Sequence, residues 1–300
     1  MASERTVPRI IDGHGHVNWY GYDADRLIAN MDEHGIDLMW LLSWEVPAEE
    51  LDLGYAGCCW PQTVGMPFKD VVDAVHRYPD RFIPFYAPDP RERDSLPRLQ
   101  GAVQYLGVRG CGELKVRIML DDPRALEMFH YCGEAGLPVV FHMDVPLPRR
   151  QFGHDPGYWY CCDWENLARA LELCPQTAFL GHAPGFWREI SGDADADPAC
   201  YPQGPVAPGG RLWQYMDAYP NLHCDLSAGS ALIALSRDPA TGKRFLDTYQ
   251  DRCIFGRDYF DDRMFRFILD CRLSAEATEK ILCGNALRLV PLTLQLTYCI

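Results

Sequence analysis

The stretch Ile10–Trp19, IIDGHGHVNW, places two histidines two residues apart at the end of an apolar run. In an extended strand the side chains of residues i and i+2 point to the same face, so His14 and His16 would project side by side. Gly13 and Gly15 leave room around the two rings. Because neutral imidazole is the commonest metal ligand in proteins, the pair predicts part of a metal site. A pair of surface histidines at a strand end is the alternative.

Short apolar runs rich in Val, Ile, Phe and Leu recur along the chain, and amphipathic helical patterns separate them. The predicted strands are Arg9–Val17, Ile36–Trp44, Arg81–Pro88, Val108–Ile118, Pro138–Val145, Ala178–Pro184, Leu222–Gly229 and Cys253–Tyr259. The helical segments between them include Asp23–Gly35, Phe68–Tyr78, Pro123–Gly136, Trp164–Cys174, Leu212–Tyr219 and Lys243–Gln250. One of these helices has a clear start and stop, with Asp122 as N-cap, Pro123 in the first turn and Gly136 at the end.

Alternating strands and helices predict parallel strands joined by right-handed crossovers. Eight such units in 300 residues predict an α/β fold, a closed (β/α)₈ or TIM barrel, as a single domain over residues 1–300. An open doubly wound sheet is the alternative, but no glycine-rich phosphate loop follows the first strand. We expect the two long polar connections, residues 45–67 and 185–210, to lie as loops over the barrel mouth.

Composition limits the class of partner. The chain is 48% hydrophobic and 23% charged, and its 28 Lys and Arg against 42 Asp and Glu give a net charge of −14. Nucleic-acid binding depends on Lys and Arg, so this acidic balance argues against nucleic acid as a partner. A small anionic substrate held by a few arginines remains open.

The sequence also predicts where the protein works. No stretch of about 18 apolar residues indicates a membrane span, and residues 1–9 lack the apolar core of a secretory signal. The thirteen cysteines form no C-x-x-C pair, and most lie in apolar segments. We therefore expect a cytoplasmic protein with reduced, buried thiols.

Polar residues interrupt the predicted strands near their C-terminal ends, where barrel enzymes carry their chemistry. They are His14, His16, Glu113, Lys115, His142, Asp144, His182, Asp225 and Asp258. Scattered core histidines would not segregate in this way, so the pattern supports an active site at the barrel mouth.

The remaining histidines act as internal controls. His34, His76 and His130 lie on helical segments, where a surface role is expected. His223 falls early in the seventh strand, at the wrong end of a barrel for catalysis. His154 lies in the loop after the fifth strand, from which it could reach a substrate.

Several fragments together resemble the amidohydrolase superfamily, and in particular its amidohydrolase-2 branch of metal-dependent hydrolases and decarboxylases. The fragments are DGHGH, VVFHMD, FLGHAP, IFGRDYF and KILCGNALRLV, in that order along the chain. The resemblance implies a (β/α)₈ barrel with one or two divalent metals at the strand ends.

The resemblance also implies roles for single residues. His14 and His16 match the ligand pair of the first strand, and His142 matches the ligand of the fifth strand. His182 matches the histidine of the sixth strand, and Asp258 matches the aspartate of the eighth.

The fourth strand, GCGELKV, departs from the lysine-containing strand of many relatives. Its Glu113 is similar to the glutamate of the TatD-like nucleases, which bridges two metals. In other branches a carboxylated lysine is the bridge, so Lys115 is a rival for that role. A third alternative is a single-metal site in which Glu113 only pairs with Lys115.

Histidine and carboxylate ligands suit Zn²⁺ best, with Mn²⁺ as an alternative. A metal lowers the pKa of bound water from about 15.7 toward 7. Asp258 could both ligate the ion and accept the proton of that water, while His182 could hold a second ion or polarise the substrate. The predicted function is metal-dependent hydrolysis of a small amide, lactone or ester.

Two other functions are considered. A non-oxidative decarboxylase or hydratase of a small carboxylic acid is the alternative enzyme, because the amidohydrolase-2 branch includes both. A barrel that only binds a ligand is disfavoured by the complete set of candidate metal ligands. The expected partner is a small-molecule substrate, and a homo-oligomer remains open.

Substrate contacts are left open by the sequence. The arginines that could hold a substrate carboxylate are Arg117, Arg149, Arg150 and Arg257. The tryptophans that could wall a pocket, or else pack loops onto the barrel, are Trp19, Trp44, Trp159 and Trp187.

Overall fold

A computed structural model of the chain describes residues 10–47, 50, 65–145 and 159–292. All neighbouring strands in this part of the chain pair in parallel. The strands are β1 (Ile11–Gly15), β2 (Leu38–Leu42), β3 (Phe82–Phe85), β4 (Cys111–Leu114), β5 (Val139–His142), β6 (Phe179–His182), β7 (Leu222–Asp225) and β8 (Cys253–Ile254).

Helices connect and surround the strands. They are α1 (Ala24–His34), α2 (Phe68–Arg77), α3 (Ser95–Leu106), α4 (Pro123–Ala135), α5 (Trp164–Leu173), α6 (Pro184–Trp187), α7 (Arg211–Ala218), α8 (Ala228–Ser236), α9 (Pro239–Thr248), α10 (Arg263–Asp270), α11 (Ala275–Glu279) and α12 (Asn285–Leu289). Short 3₁₀ turns cover Arg188–Ile190 and Ala194–Ala196, and a π-helical turn covers Lys280–Gly284. Asp122 caps α4 by accepting a hydrogen bond from the Arg124 backbone, and Gly136 ends the helix with φ 68°.

The strands follow one another in chain order around a barrel. They form a three-stranded sheet, β1-β2-β3, and a five-stranded sheet, β4-β5-β6-β7-β8. Backbone hydrogen bonds cross both gaps, from Arg109 N to Pro84 O at 3.0 Å and from Gly13 N to Phe255 O at 2.8 Å. The predicted (β/α)₈ barrel is therefore confirmed, and the open doubly wound sheet is wrong.

Strand side chains alternate between two apolar clusters. The inner cluster fills the barrel with Ile11, Trp40, Leu42, Ile83, Phe85, Val140, Leu180 and Ile254. The outer cluster packs the helices onto the barrel, and its strand residues include Met39, Leu41, Val139, Phe179 and Cys253. This alternation follows from the two-residue period of a strand.

Irregular pairing in two strands interrupts the alternation. In β1, Asp12 pairs with Met39 but Gly15 pairs with Leu41, so three residues of β1 span two of β2. In β4 the register shifts in the same way between Cys111 and Leu114. A β-bulge of this kind re-aims the side chains that follow it. The bulges lie in the strands that carry His14 and Glu113, and His16 directly follows β1.

The strands are shorter than the apolar runs that predict them. The run Val108–Ile118 contains only the four residues of β4, and Leu222–Gly229 contains β7 followed by the start of α8. Directly after β7 the backbone bonds in part to a side chain. Ser227 N donates to Asp225 Oδ1 at 2.9 Å. The pattern of apolar residues in the sequence does not show where the strand ends.

The two long connections differ in what can be described. Of residues 45–67, positions 48–49 and 51–64 lie outside the described residues. Residues 185–210 contain the end of α6 and both 3₁₀ turns, with Trp187 and Ile190 buried. The predicted loop is thus partly helical and packed. Among the described residues, no helix has the length and apolar character needed to cross a membrane.

Candidate metal centre

His14 and His16 bring two ring nitrogens to one point inside the barrel mouth. Their Nε2 atoms lie 3.0 Å apart, and both residues are buried. His14 Nδ1 donates to Asp225 Oδ2 at 2.6 Å, and His16 Nδ1 donates to the Leu42 carbonyl at 2.9 Å. Each Nε2 therefore presents its lone pair toward the other. Such an approach needs a cation or a proton between the two nitrogens.

The charges around His14 favour a cation there. Burial lowers the pKa of its imidazole, but Asp225, Asp258 and Glu113 outweigh burial and raise the pKa to about 10. The surrounding carboxylates thus favour positive charge at His14. A metal ion there would interact with the same carboxylates.

Glu113 enters this site from the bulged strand β4. Its Oε2 lies 3.4 Å from His16 Nε2 and 4.0 Å from His14 Nε2, and its Oε1 accepts a hydrogen bond from His142 Nδ1 at 2.6 Å. Burial alone would raise the pKa of the carboxyl group. His142 and Lys115 reverse this effect and hold the pKa well below its usual range. Glu113 is therefore an anion in the site.

Asp258 follows β8 and faces the same point. Its backbone takes a left-handed conformation, with φ 61°, and its N–H donates to the His14 carbonyl at 2.9 Å. Asp258 Oδ1 lies 3.8 Å from His16 Nε2. Burial raises the pKa of this carboxyl group. A left-handed non-glycine residue is uncommon and often marks a functional position.

Two groups of three residues bring their donor atoms within 4.8 Å of one another: His14, His16 and Asp258, and His14, Glu113 and His182. Both groups contain His14, whose Nδ1 is bonded to Asp225. One free nitrogen cannot serve two ions at once, so the arrangement favours a single ion.

His182 lies at the edge of this site. Its Nδ1 is 2.9 Å from Ser227 Oγ, and its Nε2 is 3.8 Å from Glu113 Oε1. Burial, helped by the neighbouring His14, lowers the pKa of His182 to about 3. The ring is therefore neutral around pH 7.

His142 and Lys115 belong to neither group of three. The nitrogens of His142 lie against two carboxylates, Glu113 on one side and Asp144 Oδ2, 3.0 Å from Nε2, on the other. The Lys115 ammonium lies 4.2 Å from the centre of the Trp44 ring, a cation–π arrangement. Glu113 reaches the histidine pair through Oε2, which lies 3.4 Å from His16 Nε2.

Four aromatic side chains line the cleft above the candidate site together with polar residues. Its wall includes Trp19, Trp44, Tyr201 and Tyr259 beside the candidate metal ligands. Trp187, by contrast, is fully buried, and its Nε1 donates to the Asp225 carbonyl at 3.0 Å. Two of the predicted tryptophans thus line the cleft and one packs a connection onto the barrel; Trp159 is half-buried.

Two of the four arginines considered for the substrate lie among the described residues. Arg257 is buried and its Nε donates to Asp12 Oδ2 at 2.7 Å, so it pairs within the barrel. The Arg117 backbone N–H donates to Glu50 Oε2 at 3.0 Å. Arg149, Arg150 and His154 lie outside the described residues.

The control histidines lie away from the site. His34, His76 and His130 are in α1, α2 and α4, and His223 is the second residue of β7. Sequence reasoning noted Asp225 at a strand end but did not foresee that it would hold His14. It also missed Ser227, for which the only available signal is its position two residues after that aspartate.

Solved structures share this architecture. A 5-carboxyvanillate decarboxylase from Sphingomonas paucimobilis is 15% identical, with TM-score 0.60 over 96% of this chain and 100% of that chain. A dihydroxybenzoic acid decarboxylase from Polaromonas sp., solved with manganese and the inhibitor 2-nitroresorcinol, is 18% identical, with TM-score 0.57 over 94% and 97%. A probable 2-pyrone-4,6-dicarboxylic acid hydrolase from Acinetobacter baumannii, with citric acid bound, is 14% identical, with TM-score 0.57 over 94% and 98%.

At these identities the similarity establishes the fold alone. No curated protein matches the chain. The family model described as amidohydrolase matches residues 11–292, which include every strand of the barrel and every candidate ligand. The chain therefore belongs to the amidohydrolase-2 family of enzymes, as its sequence fragments predict.

Proposed function

We propose that the protein is a metal-dependent hydrolase of a small amide, lactone or ester. The observation that carries the proposal is the meeting of His14 Nε2 and His16 Nε2 at 3.0 Å, with Asp258 Oδ1 3.8 Å from the latter. The donors are buried imidazoles and a buried carboxylate, a set that suits Zn²⁺ and also accepts Mn²⁺.

His14, His16 and Asp258 would hold one divalent ion, with Glu113 and His182 next to it. The family is metal-dependent, which supports this assignment. A bound ion would supply Lewis acidity and make water acidic enough to ionise near neutral pH. Asp225 and the Leu42 carbonyl fix the ring orientations that aim both Nε2 atoms.

Two side chains would act on the substrate, one as a general base and the other as a hydrogen-bond donor. We assign Asp258 as the general base, because burial raises the pKa of its carboxyl group and so favours its taking up a proton. We assign His182 a polarising role. With Ser227 donating to Nδ1, its Nε2–H is free to donate to a substrate carbonyl oxygen.

One observation favours the alternative, a decarboxylase or hydratase of a small carboxylic acid. Lys115 is buried against Trp44 in an aromatic cleft, and its ammonium would suit the carboxylate of a planar acid. In decarboxylation, CO₂ would leave and the carbon would take its proton from a protonated Asp258.

Labelled solvent separates the two reactions. The metal-loaded protein would be incubated with a panel of lactones, esters, amides and aromatic carboxylic acids, once in H₂¹⁸O and once in D₂O. Hydrolysis places ¹⁸O in a product acid, whereas decarboxylation releases CO₂ and places deuterium on carbon. Label from H₂¹⁸O is the expected result; deuterium with CO₂ release would favour the alternative, and no turnover on the panel would count against both.

Related features complete the proposal. A single barrel domain is supported by strands that run from residue 11 to residue 254, with the last helix ending at residue 289. Eight of the ten described cysteines are buried free thiols, which supports a reducing compartment such as the cytoplasm; they are Cys111, Cys132, Cys161, Cys162, Cys174, Cys224, Cys253 and Cys271. A narrow cleft with both aromatic and charged residues in its wall supports a small-molecule substrate.

A further inference from the structure

The barrel closes between β1 and β8, and one buried carboxylate spans that junction. Asp12, in β1, is fully buried. Its Oδ1 accepts hydrogen bonds from the backbone N–H groups of His14, at 3.2 Å, and Arg257, at 3.0 Å. Its Oδ2 accepts a third hydrogen bond from Arg257 Nε at 2.7 Å. One side chain therefore ties the strand that carries His14 to the residues that carry Asp258.

Arg257 also holds the residues that follow it, the β8 segment (residues 257–260). The side chain is almost fully buried, and its Nη1 donates to the Phe260 carbonyl at 3.2 Å. Asn30, in α1, donates to the same carbonyl through Nδ2 at 3.1 Å. Asp258 lies between the two ends, and its own N–H donates to the His14 carbonyl at 2.9 Å. The β8 segment is thus fixed at both ends, with Asp258 inside it.

The β8 segment has a backbone conformation that needs such support. Asp258 and Phe260 are both left-handed, with φ 61° and 62°. Left-handed residues other than glycine persist where the surrounding structure holds them. Gly256 brings the chain close to β1, because a Cβ at this position would lie only 3.0 Å from His14 Cβ. No side chain fits between the two strands at this point, so hydrogen bonds join the β8 segment to β1.

We propose that Asp12 and Arg257 are positioning residues of the candidate metal centre, which hold Asp258 where it can share one ion with the histidine pair. This deepens the proposed function and rests on it for the ion. Asp258 Oδ1 is 3.8 Å from His16 Nε2, so a small shift of the β8 segment would take the carboxylate out of reach. Arginine suits the role because its planar fork donates to two acceptors at once, whereas lysine carries one compact ammonium group. Arg257 thus acts through Asp258 and not on the substrate.

Arg257→Lys tests this assignment, because it keeps the positive charge opposite Asp12 but loses the fork that reaches both Asp12 and the Phe260 carbonyl. Competition with a chromophoric chelator for Co²⁺ measures the metal affinity of the full chain. The visible absorption spectrum of the Co²⁺-loaded protein reports the coordination of the ion. We expect the affinity to fall at least about tenfold, as it does when other supporting partners of metal ligands are lost. The spectrum should shift toward that of Asp258→Asn.

A double variant separates positioning from a general effect on the fold. If Arg257 acts through Asp258, Arg257→Lys should lower the affinity little further in an Asp258→Asn background. The same fold-change in both backgrounds would overturn the proposal. Arg263→Lys is the matched control, because it makes the same substitution in an exposed pair with Asp261 at the start of α10. This control should keep the wild-type affinity, and circular dichroism checks the fold of every variant.

A second variant covers the case in which Arg257→Lys does not fold. Asp12→Asn/Arg257→Gln removes both buried charges together, so neither remains without its partner. We expect the same loss of Co²⁺ affinity and the same dependence on Asp258. Wild-type affinity in the folded variants would overturn the positioning role and leave the proposed function standing. A wild-type protein that binds no Co²⁺ would instead overturn the proposed function, and the positioning role with it.

Discussion

His14 and His16 face each other through their Nε2 atoms at 3.0 Å, while each Nδ1 is bonded to a different neighbour. In this arrangement both Nε2 atoms can donate their lone pairs to the same metal ion. Because Asp225 and the Leu42 carbonyl already occupy both Nδ1 atoms, the Nε2 atoms are the ones that remain for an ion.

Replacing both rings should remove the ion. In the His14→Ala/His16→Ala double variant we expect bound Zn²⁺ or Mn²⁺ to fall to a small fraction of the wild-type content, with the barrel still folded. Elemental analysis of the dialysed protein measures the metal, and circular dichroism checks the fold. The control is His76→Ala/His130→Ala, which removes two exposed helical histidines and should leave metal content unchanged. Full occupancy in the first variant would refute the site.

Asp225 should affect the ion without touching it. Asp225→Asn keeps the size of the side chain but weakens its hold on His14 Nδ1, 2.6 Å away. Loss of such a supporting partner typically lowers metal affinity about 10–100-fold. Competition with a chromophoric chelator measures the change. Ser227→Ala, which removes a contact to His182 and none to His14, serves as the comparison and should keep near-wild-type affinity.

Replacing Glu113 tests how many metal ions each chain binds. We expect one ion per chain in the wild type, because His14 belongs to both candidate groups and has one free nitrogen. Glu113→Gln should then weaken binding but keep a stoichiometry of one at saturating metal. If Glu113 instead bridges two ions, the wild type should hold two, about 3.5–4 Å apart, and the variant should hold one. Metal titration followed by elemental analysis distinguishes these results.

Asp258 should be needed for turnover more than for folding. Asp258→Asn removes the proposed base while keeping the shape of the side chain. On a substrate found in the panel, measured at saturating metal, we expect kcat to fall at least about 10²-fold, the lower end for losing a general base. Thermal unfolding should change little. Activity close to that of the wild type would refute the role.

The sequence predicts the barrel and most of the site, and the reason can be traced to particular strands. Alternate residues of a strand share a face, so His142 in β5 points inward like Val140, and His182 in β6 points inward like Leu180. In β7 the same spacing places Asp225 on the face of His223. Strand placement alone therefore identifies these polar residues.

Other features depend on contacts that one sequence does not contain. The register shifts of β1 and β4 fall at His14 and Glu113, and no local residue pattern predicts them. The hold of Asp225 on His14 likewise joins residues far apart in the chain, the first at the end of β7 and the second in β1.

The last prediction concerns the buried pair behind the site. Asp12 Oδ2 accepts a hydrogen bond from Arg257 Nε at 2.7 Å, and both side chains are almost fully buried. Asp12→Ala would leave the guanidinium buried without its carboxylate, and breaking such a pair from one side costs about 3–5 kcal/mol. The matched control is Asp261→Ala, which removes the acid of an exposed pair with Arg263. Exposed ion pairs contribute about 0–1 kcal/mol to the free energy of unfolding, so this free energy should change little in the Asp261→Ala variant. Urea unfolding in the presence of EDTA measures both variants independently of metal binding. An equal decrease in the free energy of unfolding of the two variants would show that the buried pair stabilises the fold no more than the exposed pair does.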